Sequence, residues 1–391
     1  MSLALSPGDA AELANIAYRA YNARNMADFV NLLVRPPLMR PSFPGEFKPL
    51  GDLIEGRTGL NKVSHSAVVF SRLRGGETEK AVTIRGTDFA SGQDWMTNFN
   101  IGMVPGPGGF PCHAGFYRAY SSLCQAVRER VGQQPRRVHV AGHSLGGAMA
   151  TMMAADLTDR GHEVYLYTFG APRCGSLPFV TRLSRRLPEG RMFRVYDPGD
   201  PVPMIPLFPF VHAPPFRDGY RIGATRKQIS TDFHSITDNY VPMAGKIANW
   251  TALKRAYADV QLEVGIAYWL SQAGQATRIP GAGAGLWALG RALEAILLAL
   301  GVAVQTGLMA GMTVLDRLAW ALHHASRLAG ELRDQVITWV RLALRWLGRE
   351  IMAPAAELTR TFLRHLLEMF LRALANSARR ALSMLDQRPR A

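Results

Sequence analysis

The five residues Gly142-His143-Ser144-Leu145-Gly146 hold the side chain in this sequence best suited to covalent chemistry. A serine hydroxyl attacks an ester carbonyl only when a base takes its proton, and the base needs an acid to hold its ring. Glycines two positions before and two after the serine are what a sharp strand-to-helix turn demands. The apex serine then sits in strained backbone, and a Cβ at either flank would collide across the turn. Such a turn lifts the hydroxyl clear of a sheet and aims the free N–H groups of the next helix at any oxyanion beside it. In sites of this kind the acid and then the histidine follow the nucleophile along the chain. The acids that follow a strand lie in Asp197-Pro198-Gly199-Asp200-Pro201-Val202-Pro203, where Asp197 and Asp200 are both candidates. Between these acids and the tail the histidines are His212 and His234, and His234 stands about a loop and a helix beyond Asp200.

The elements needed to position these groups are legible around them. A β-rich run at 138–141 enters the serine turn, and an alanine- and methionine-rich stretch that reads as a helix leaves it. Strands at 67–71 and 80–84 flank Gly75-Gly76, a hairpin signal. A helix at 115–131, a strand at 164–169 closed by Gly170-Ala171-Pro172, a helix at 177–187 and a strand at 192–196 follow. Strands alternating with helices predict an α/β fold with a mainly parallel sheet covered on both faces. Ligands in such sheets bind beyond the carboxyl ends of the strands, where Thr87, Ser144, Gly170 and Asp200 all fall. At the front, Ser6-Pro7-Gly8-Asp9 reads as a helix start, with the helix running to about Tyr21. Residues 34–60, rich in proline and glycine, read as an irregular surface connection.

A length of 391 residues suggests two domains, and a formal charge of +15 points to anionic partners. No nucleic-acid-binding pattern accompanies that charge, so an anionic lipid surface is the expected partner. Cys112, Cys124 and Cys174 are odd in number and lack metal spacing, so neither a disulfide framework nor a metal site is expected. No phosphate-cradling loop occurs either, and no cofactor is expected. The first 13 residues lack a basic region and a continuous apolar core, which predicts no secretory signal peptide. The expected location is therefore at a membrane, or outside after export by a route that needs no such signal, and otherwise the cytoplasm.

Four segments in order carry a family resemblance: the serine turn extended to Gly147-Ala148, Thr168-Phe169-Gly170-Ala171-Pro172-Arg173, Phe193-Arg194-Val195 leading into Asp200-Pro201-Val202-Pro203, and His234-Ser235-Ile236. Over roughly 67–240 the chain resembles the class 3 lipases, α/β-hydrolases related to the fungal triacylglycerol lipases, as a bacterial member with an extra helical C-terminal region. The resemblance implies an α/β-hydrolase fold and a triad of Ser144, Asp200 and His234. It also implies an oxyanion hole from Thr87, in Arg85-Gly86-Thr87, and from the N–H of Leu145. Asp197 stands where the family has a histidine, which keeps it as a second acid candidate. His212 matches a histidine that the family does not use as base. Similar proteins carry an amphipathic lid after the Arg-Gly-Thr stretch, and residues 88–110, with Phe89, Trp95, Phe99 and Met103, stand there; the same aromatics can equally cap the core. Some bacterial class 3 lipases without signal peptides are antibacterial effectors, which brings a secretion-system or inhibitor protein into view as a partner.

Beyond Val241 strand signals vanish, and a helix is expected from about 243 to 273. Residues 276–285 read as a linker, dividing a hydrolase domain at 1–275 from a helical, hydrophobic and basic membrane-interacting region at 286–391. Residues 295–315 hold no charge and as a helix would span about 30 Å, either a bilayer core or a buried bundle helix. Arg341, Arg345 and Arg349 form one helical stripe, and Arg360, Arg364 and Arg372 another. The function expected is acyl-ester hydrolysis of membrane or storage lipids, of lipase or phospholipase A type, with the tail docking on membranes. The alternatives are a tail that itself perturbs membranes and a soluble esterase for small substrates.

Overall fold

The computed structural model describes residues 3–34, 47–58, 62–86, 102–134, 136–188, 190–206, 210–215, 219–223, 231–256, 266–275, 283–300, 314–349 and 358–386. Runs of β-branched and aromatic residues pair into one eight-stranded sheet. Its strands are β1 (Lys48–Pro49), β2 (Ile54–Thr58), β3 (Lys62–Arg74), β4 (Glu77–Ile84), β7 (Arg137–His143), β8 (Glu163–Phe169), β10 (Met192–Tyr196) and β12 (Tyr220–Arg221). The order is β1-β3-β4-β7-β8-β10-β12, with β2 beside β3. From β4 onward every pairing is parallel, while β1, β2 and β4 run antiparallel to β3. A small second sheet joins β5 (Met103–Pro105), β6 (Pro111–His113), β9 (Gly175–Ser176) and β11 (Phe210–Val211).

Side-chain alternation along the strands splits the apolar residues between two cores. Val69, Val82, Val140 and Leu166 face α3 (Ala114–Val131), α4 (Leu145–Asp159) and α5 (Leu177–Arg186). Val68, Phe70, Ala81, Ala141 and Tyr167 face α1 (Pro7–Asn22) and α2 (Met26–Val34), with α6 (Val241–Gly245) and α7 (Trp250–Ala256) on the same side. Covering both faces explains why the central strands β7 and β8 are buried along nearly their whole length rather than on alternate residues. α1 begins where the sequence predicts, with Ser6 capping it by accepting the Asp9 N–H.

Three sequence expectations need correction. Within 34–60, residues 48–49 and 54–58 are strands rather than irregular chain, because the long β3 offers its outer edge to both and Ile54 completes the core beneath. The helix expected from 243 to 273 is broken. α6 ends at Gly245, and Asn249 starts α7 afresh, its side-chain oxygen accepting the Ala252 N–H. Residues 257–265 lie outside the described residues, and α8 is Ile266–Gln275. The hairpin strands are also longer than the apolar runs suggested, pairing from Ala67↔Ile84 out to Arg74↔Glu77.

α8 packs with α9 (Gly283–Ala299), α10 (Val314–Ala325), α11 (Glu331–Trp346) and α12 (Arg360–Asp386) around a third core that includes Trp269, Leu293, Leu322, Trp339, Leu366 and Phe370. Gly283 and Gly285, in the stretch expected as linker, lie in the first turn of α9, where a Cβ on Gly285 would run into the Trp346 ring. Among the described residues no helix is long and apolar enough to cross a membrane, and residues 301–313 lie outside them. Arg341, Arg345 and Arg349 are exposed while Val336, Trp339, Val340 and Ala343 face the core. The bundle rests on the α/β part with α12 against Thr231–His234 and α9 against Val202–Met204, and Val211 of β11 also packs against its core.

Candidate active site

β7 delivers the chain to Ser144 at the carboxyl edge of the sheet, and α4 departs from Leu145. Ser144 has φ 59° and ψ −133°, the one non-glycine residue with positive φ among the described residues. The flanking glycines are required by contact: a Cβ on Gly142 would meet the Gly146 carbonyl, and one on Gly146 would meet the Ile84 carbonyl. The strain is held by the hydrogen bond from Ser144 N–H to the Phe169 carbonyl at 3.0 Å and by the buried α4 behind it.

His234 closes a short 3-10 turn, Thr231–His234, with its ring between Ser144 and Asp200. Its Nδ1 lies 2.7 Å from Asp200 Oδ2 and its Nε2 lies 2.9 Å from Ser144 Oγ. A carboxylate oxygen only accepts, so Nδ1–H donates to it and Nε2 is left to accept from the serine hydroxyl. Ser144 and His234 are 0% exposed and Asp200 is 1%. Asp200 is held by more than the ring: Oδ1 accepts the Val202 N–H at 2.9 Å, and Oδ2 also accepts the Tyr240 hydroxyl at 2.7 Å. Burial, and then the nearby Asp200 and Asp197 carboxylates, push the Tyr240 phenol well above its ordinary value, so it stays a donor.

Asp197 is committed elsewhere. Its Oδ1 accepts the Gly199 N–H at 2.8 Å and its Oδ2 accepts from Asn239 Nδ2 at 3.2 Å, which shapes the turn presenting Asp200. His212 donates from Nε2 to the Pro203 carbonyl at 2.8 Å, bracing the far side of that turn. Burial, then the cations Arg194 and Arg173, hold it well below the usual histidine range. Leu145 is the first residue of α4, where its N–H has no partner one turn earlier. Thr87 lies outside the described residues, as does most of the 88–110 stretch considered for a lid; from it Met103 stands in β5. The backbone leading to Thr87 does pass the serine, for a Cβ on Gly86 would lie 3.1 Å from Ser144 Cβ.

Sequence reading missed Tyr240 and the packing role of Gly170. Gly170 has φ +55°, and a Cβ there would sit 2.7 Å from Asp200 Oδ2 and 3.1 Å from His234 Nδ1. Its place just past the end of the 164–169 strand was the available signal; Tyr240, six residues past His234, offered none beyond being a tyrosine in need of a partner. His113 caps α3 by accepting the Phe116 N–H, with burial pulling its pKa down to about 3. The three cysteines are free, and burial pushes the Cys112 and Cys174 thiols up to about 12.

A mainly parallel sheet with a strained serine at a strand-to-helix turn, and an acid and a histidine arriving from later loops, defines an α/β-hydrolase. Residues 81–210 match the model of the family described as lipase (class 3). It is 34% identical over 149 residues to secreted mono- and diacylglycerol lipase 1 of Fusarium solani, covering 35% of this chain and 43% of that one. It is 33% identical over 153 residues to a lipase of Rhizomucor miehei, covering 35% and 41%. Toxin TseL of Vibrio cholerae is 35% identical over 102 residues, covering 25% of this chain and 15% of the toxin. The matches thus span less than half the length of these curated relatives. Among solved structures, the mono- and diacylglycerol lipase of Aspergillus oryzae aligns with a TM-score of 0.40 and 20% identity over 60% of this chain and 86% of that one.

Proposed function

We propose that this protein hydrolyses acyl esters of lipids, as a lipase or phospholipase A, with Ser144 as nucleophile, His234 as base and Asp200 as the orienting acid. The observation that carries the reading is the pair of hydrogen bonds on one imidazole, 2.9 Å to the serine oxygen and 2.7 Å to the carboxylate. The Ser144 hydroxyl adds to the ester carbonyl while His234 Nε2 takes its proton. The imidazolium formed is stabilised by Asp200, which stays ionised. The oxyanion is met by the Leu145 N–H and by Thr87, each such donor lowering the barrier by about 3–4 kcal/mol. His234 returns its proton to the departing alcohol, and water, activated by the same ring, releases the acid.

The substrate is an acyl lipid at an anionic membrane, to which the helical tail docks. The bundle turns its apolar faces inward and offers Arg341, Arg345 and Arg349 outward, a surface suited to lipid headgroups rather than to insertion. Three such arginines contribute about 3 kcal/mol at an anionic surface, at about 1 kcal/mol each. Similarity to a toxin supports an effector role, with a secretion apparatus and an inhibitor protein as partners. The test is to incubate the full chain and Ser144→Ala with phospholipid vesicles and with emulsified triacylglycerol, and to identify released species by mass spectrometry. Loss of fatty-acid release in Ser144→Ala, with vesicle binding retained, is expected. Equal leakage from vesicles with both proteins, without ester cleavage, would favour a membrane-perturbing tail instead.

A further inference from the structure

His234 must present Nε2 to the serine and Nδ1 to Asp200 at once, so the orientation of its backbone matters as much as its ring. The His234 carbonyl lies 2.8 Å from Nε2 of His143, the residue that immediately precedes the nucleophile. A carbonyl oxygen cannot donate, so His143 carries its proton on Nε2 and donates. In the neutral ring Nδ1 is then bare and must accept. The group facing it, 2.7 Å away, is the Tyr18 hydroxyl from α1. The His143 and His234 rings lie 4.5 Å apart between centroids, and Tyr18 and Tyr240 each pack 5.7 Å from the His143 ring.

We propose that Tyr18 and His143 are positioning residues, a relay in which the Tyr18 hydroxyl fixes the Nε2–H tautomer of His143 so that it clamps the backbone of the base. The proposal rests on His234 acting as that base. The relay ties the two reacting side chains together through covalent neighbours. Ser144 is one peptide bond from His143, and His143 holds the residue whose ring must reach Ser144. Nucleophile and base therefore move as one body, although 90 positions separate them in sequence.

Complete burial, and then the neighbouring His234, hold His143 well below the usual histidine range. It therefore remains uncharged when His234 takes the serine proton, and no second positive ring opposes that step. Tyr18 is only partly buried, and its hydroxyl sits 3.0 Å from where a Gly86 Cβ would lie, at the wall of the same site.

The test uses the full chain with a soluble p-nitrophenyl ester. Tyr18→Phe is expected to lower kcat about tenfold and leave KM within about twofold, because misplacing a reacting group costs rate rather than binding. His143→Leu is expected to lose about a hundredfold in kcat. His143→Gln, which keeps an N–H for the carbonyl, recovers most of it. Combining Tyr18→Phe with His143→Leu costs no more than His143→Leu alone, since the two act in series. Long-range proton–nitrogen spectra of the imidazoles, with His143 assigned by its loss in His143→Gln, report the tautomer directly. They should show Nε2–H in the parent and a mixture in Tyr18→Phe, and this readout survives if His143→Leu fails to fold. A folded Tyr18→Phe with kcat within about twofold of the parent, or an Nδ1–H tautomer in the parent, overturns the relay. Full activity in Ser144→Ala would instead overturn the catalytic reading on which the relay stands.

Discussion

Replacing Tyr240 by phenylalanine removes one oxygen with two duties and leaves the ring. That oxygen donates to Asp200 Oδ2 at 2.7 Å and accepts the Asp197 N–H at 3.1 Å, in a place without solvent. A hydrogen bond to a charged group contributes about 1.5–3 kcal/mol, and a buried N–H left unpaired costs about 1–3 kcal/mol. The expected loss of stability is therefore roughly 3 kcal/mol. At about 2–4 °C per kcal/mol for a domain of this size, the melting transition of the α/β part should fall by roughly 6–12 °C. Catalysis should suffer less than in Ser144→Ala, because Asp200 keeps the Val202 N–H and the His234 ring. A drop of about tenfold in kcat, measured well below the lowered transition, is expected. Calorimetry and steady-state rates on the same preparation decide the matter. A transition within about 2 °C of the parent together with unaltered kcat would refute the assignment of Tyr240 as the support of the acid.

The far end of the sheet gives a second expectation. Glu79 is fully buried and is desolvated there, yet nearby His139, with the hydrogen bonds from Arg137 and Arg72, prevails and holds its carboxyl well below the usual carboxylate range. A carboxyl depressed on folding stabilises above its unfolded value and loses that contribution as pH falls, so stability should decline steadily below about pH 4.5. Glu79→Gln should cost about 3 kcal/mol at neutral pH by leaving the buried Arg72 without its anion while Arg137 keeps Glu163, and should flatten the acid decline; parallel acid slopes would count against it. On the bundle, Arg341→Glu with Arg345→Glu and Arg349→Glu should weaken binding to phosphatidylglycerol vesicles at least about a hundredfold, since about 3 kcal/mol is lost. Cosedimentation measures this, and cleavage of a soluble ester should be untouched.

The serine turn was legible because its demands are local: two glycines at fixed offsets, a strand before and a helix after. The choice between Asp197 and Asp200 was not, since both sit in one turn of suitable residues. In the structure it is Asp200 that meets the His234 ring, while the Gly199 N–H and the Asn239 amide occupy Asp197, the latter contact set by chain that folds back 42 positions later. The strands at 48–58 were hidden because Pro49, Gly51 and Gly56 weaken any local signal, and only the edge of β3 makes them strands. The break between α6 and α7 was hidden for the opposite reason. Apolar residues continue through it, and the restart depends on a single asparagine cap. Tyr18 and Tyr240 acquire meaning only once two elements from opposite ends of the hydrolase part meet beneath His143.

The seating of α12 on Thr231–His234 and of α9 on Val202–Met204 gives the tail a hold on chemistry it never touches. One of those segments contains His234, the proposed base, the other follows close on Asp200, the proposed acid, and their outer sides are furnished by helices from the last third of the chain. A version of this protein trimmed to its sheet would keep the strained serine, which strand and helix enforce unaided. It would leave the other two partners on loops that keep Tyr240, His212 and His143 but lose the helices packed behind them. Evolution cannot then exchange the tail as freely as an appended tag, because each new tail must also fit the underside of the machinery it carries.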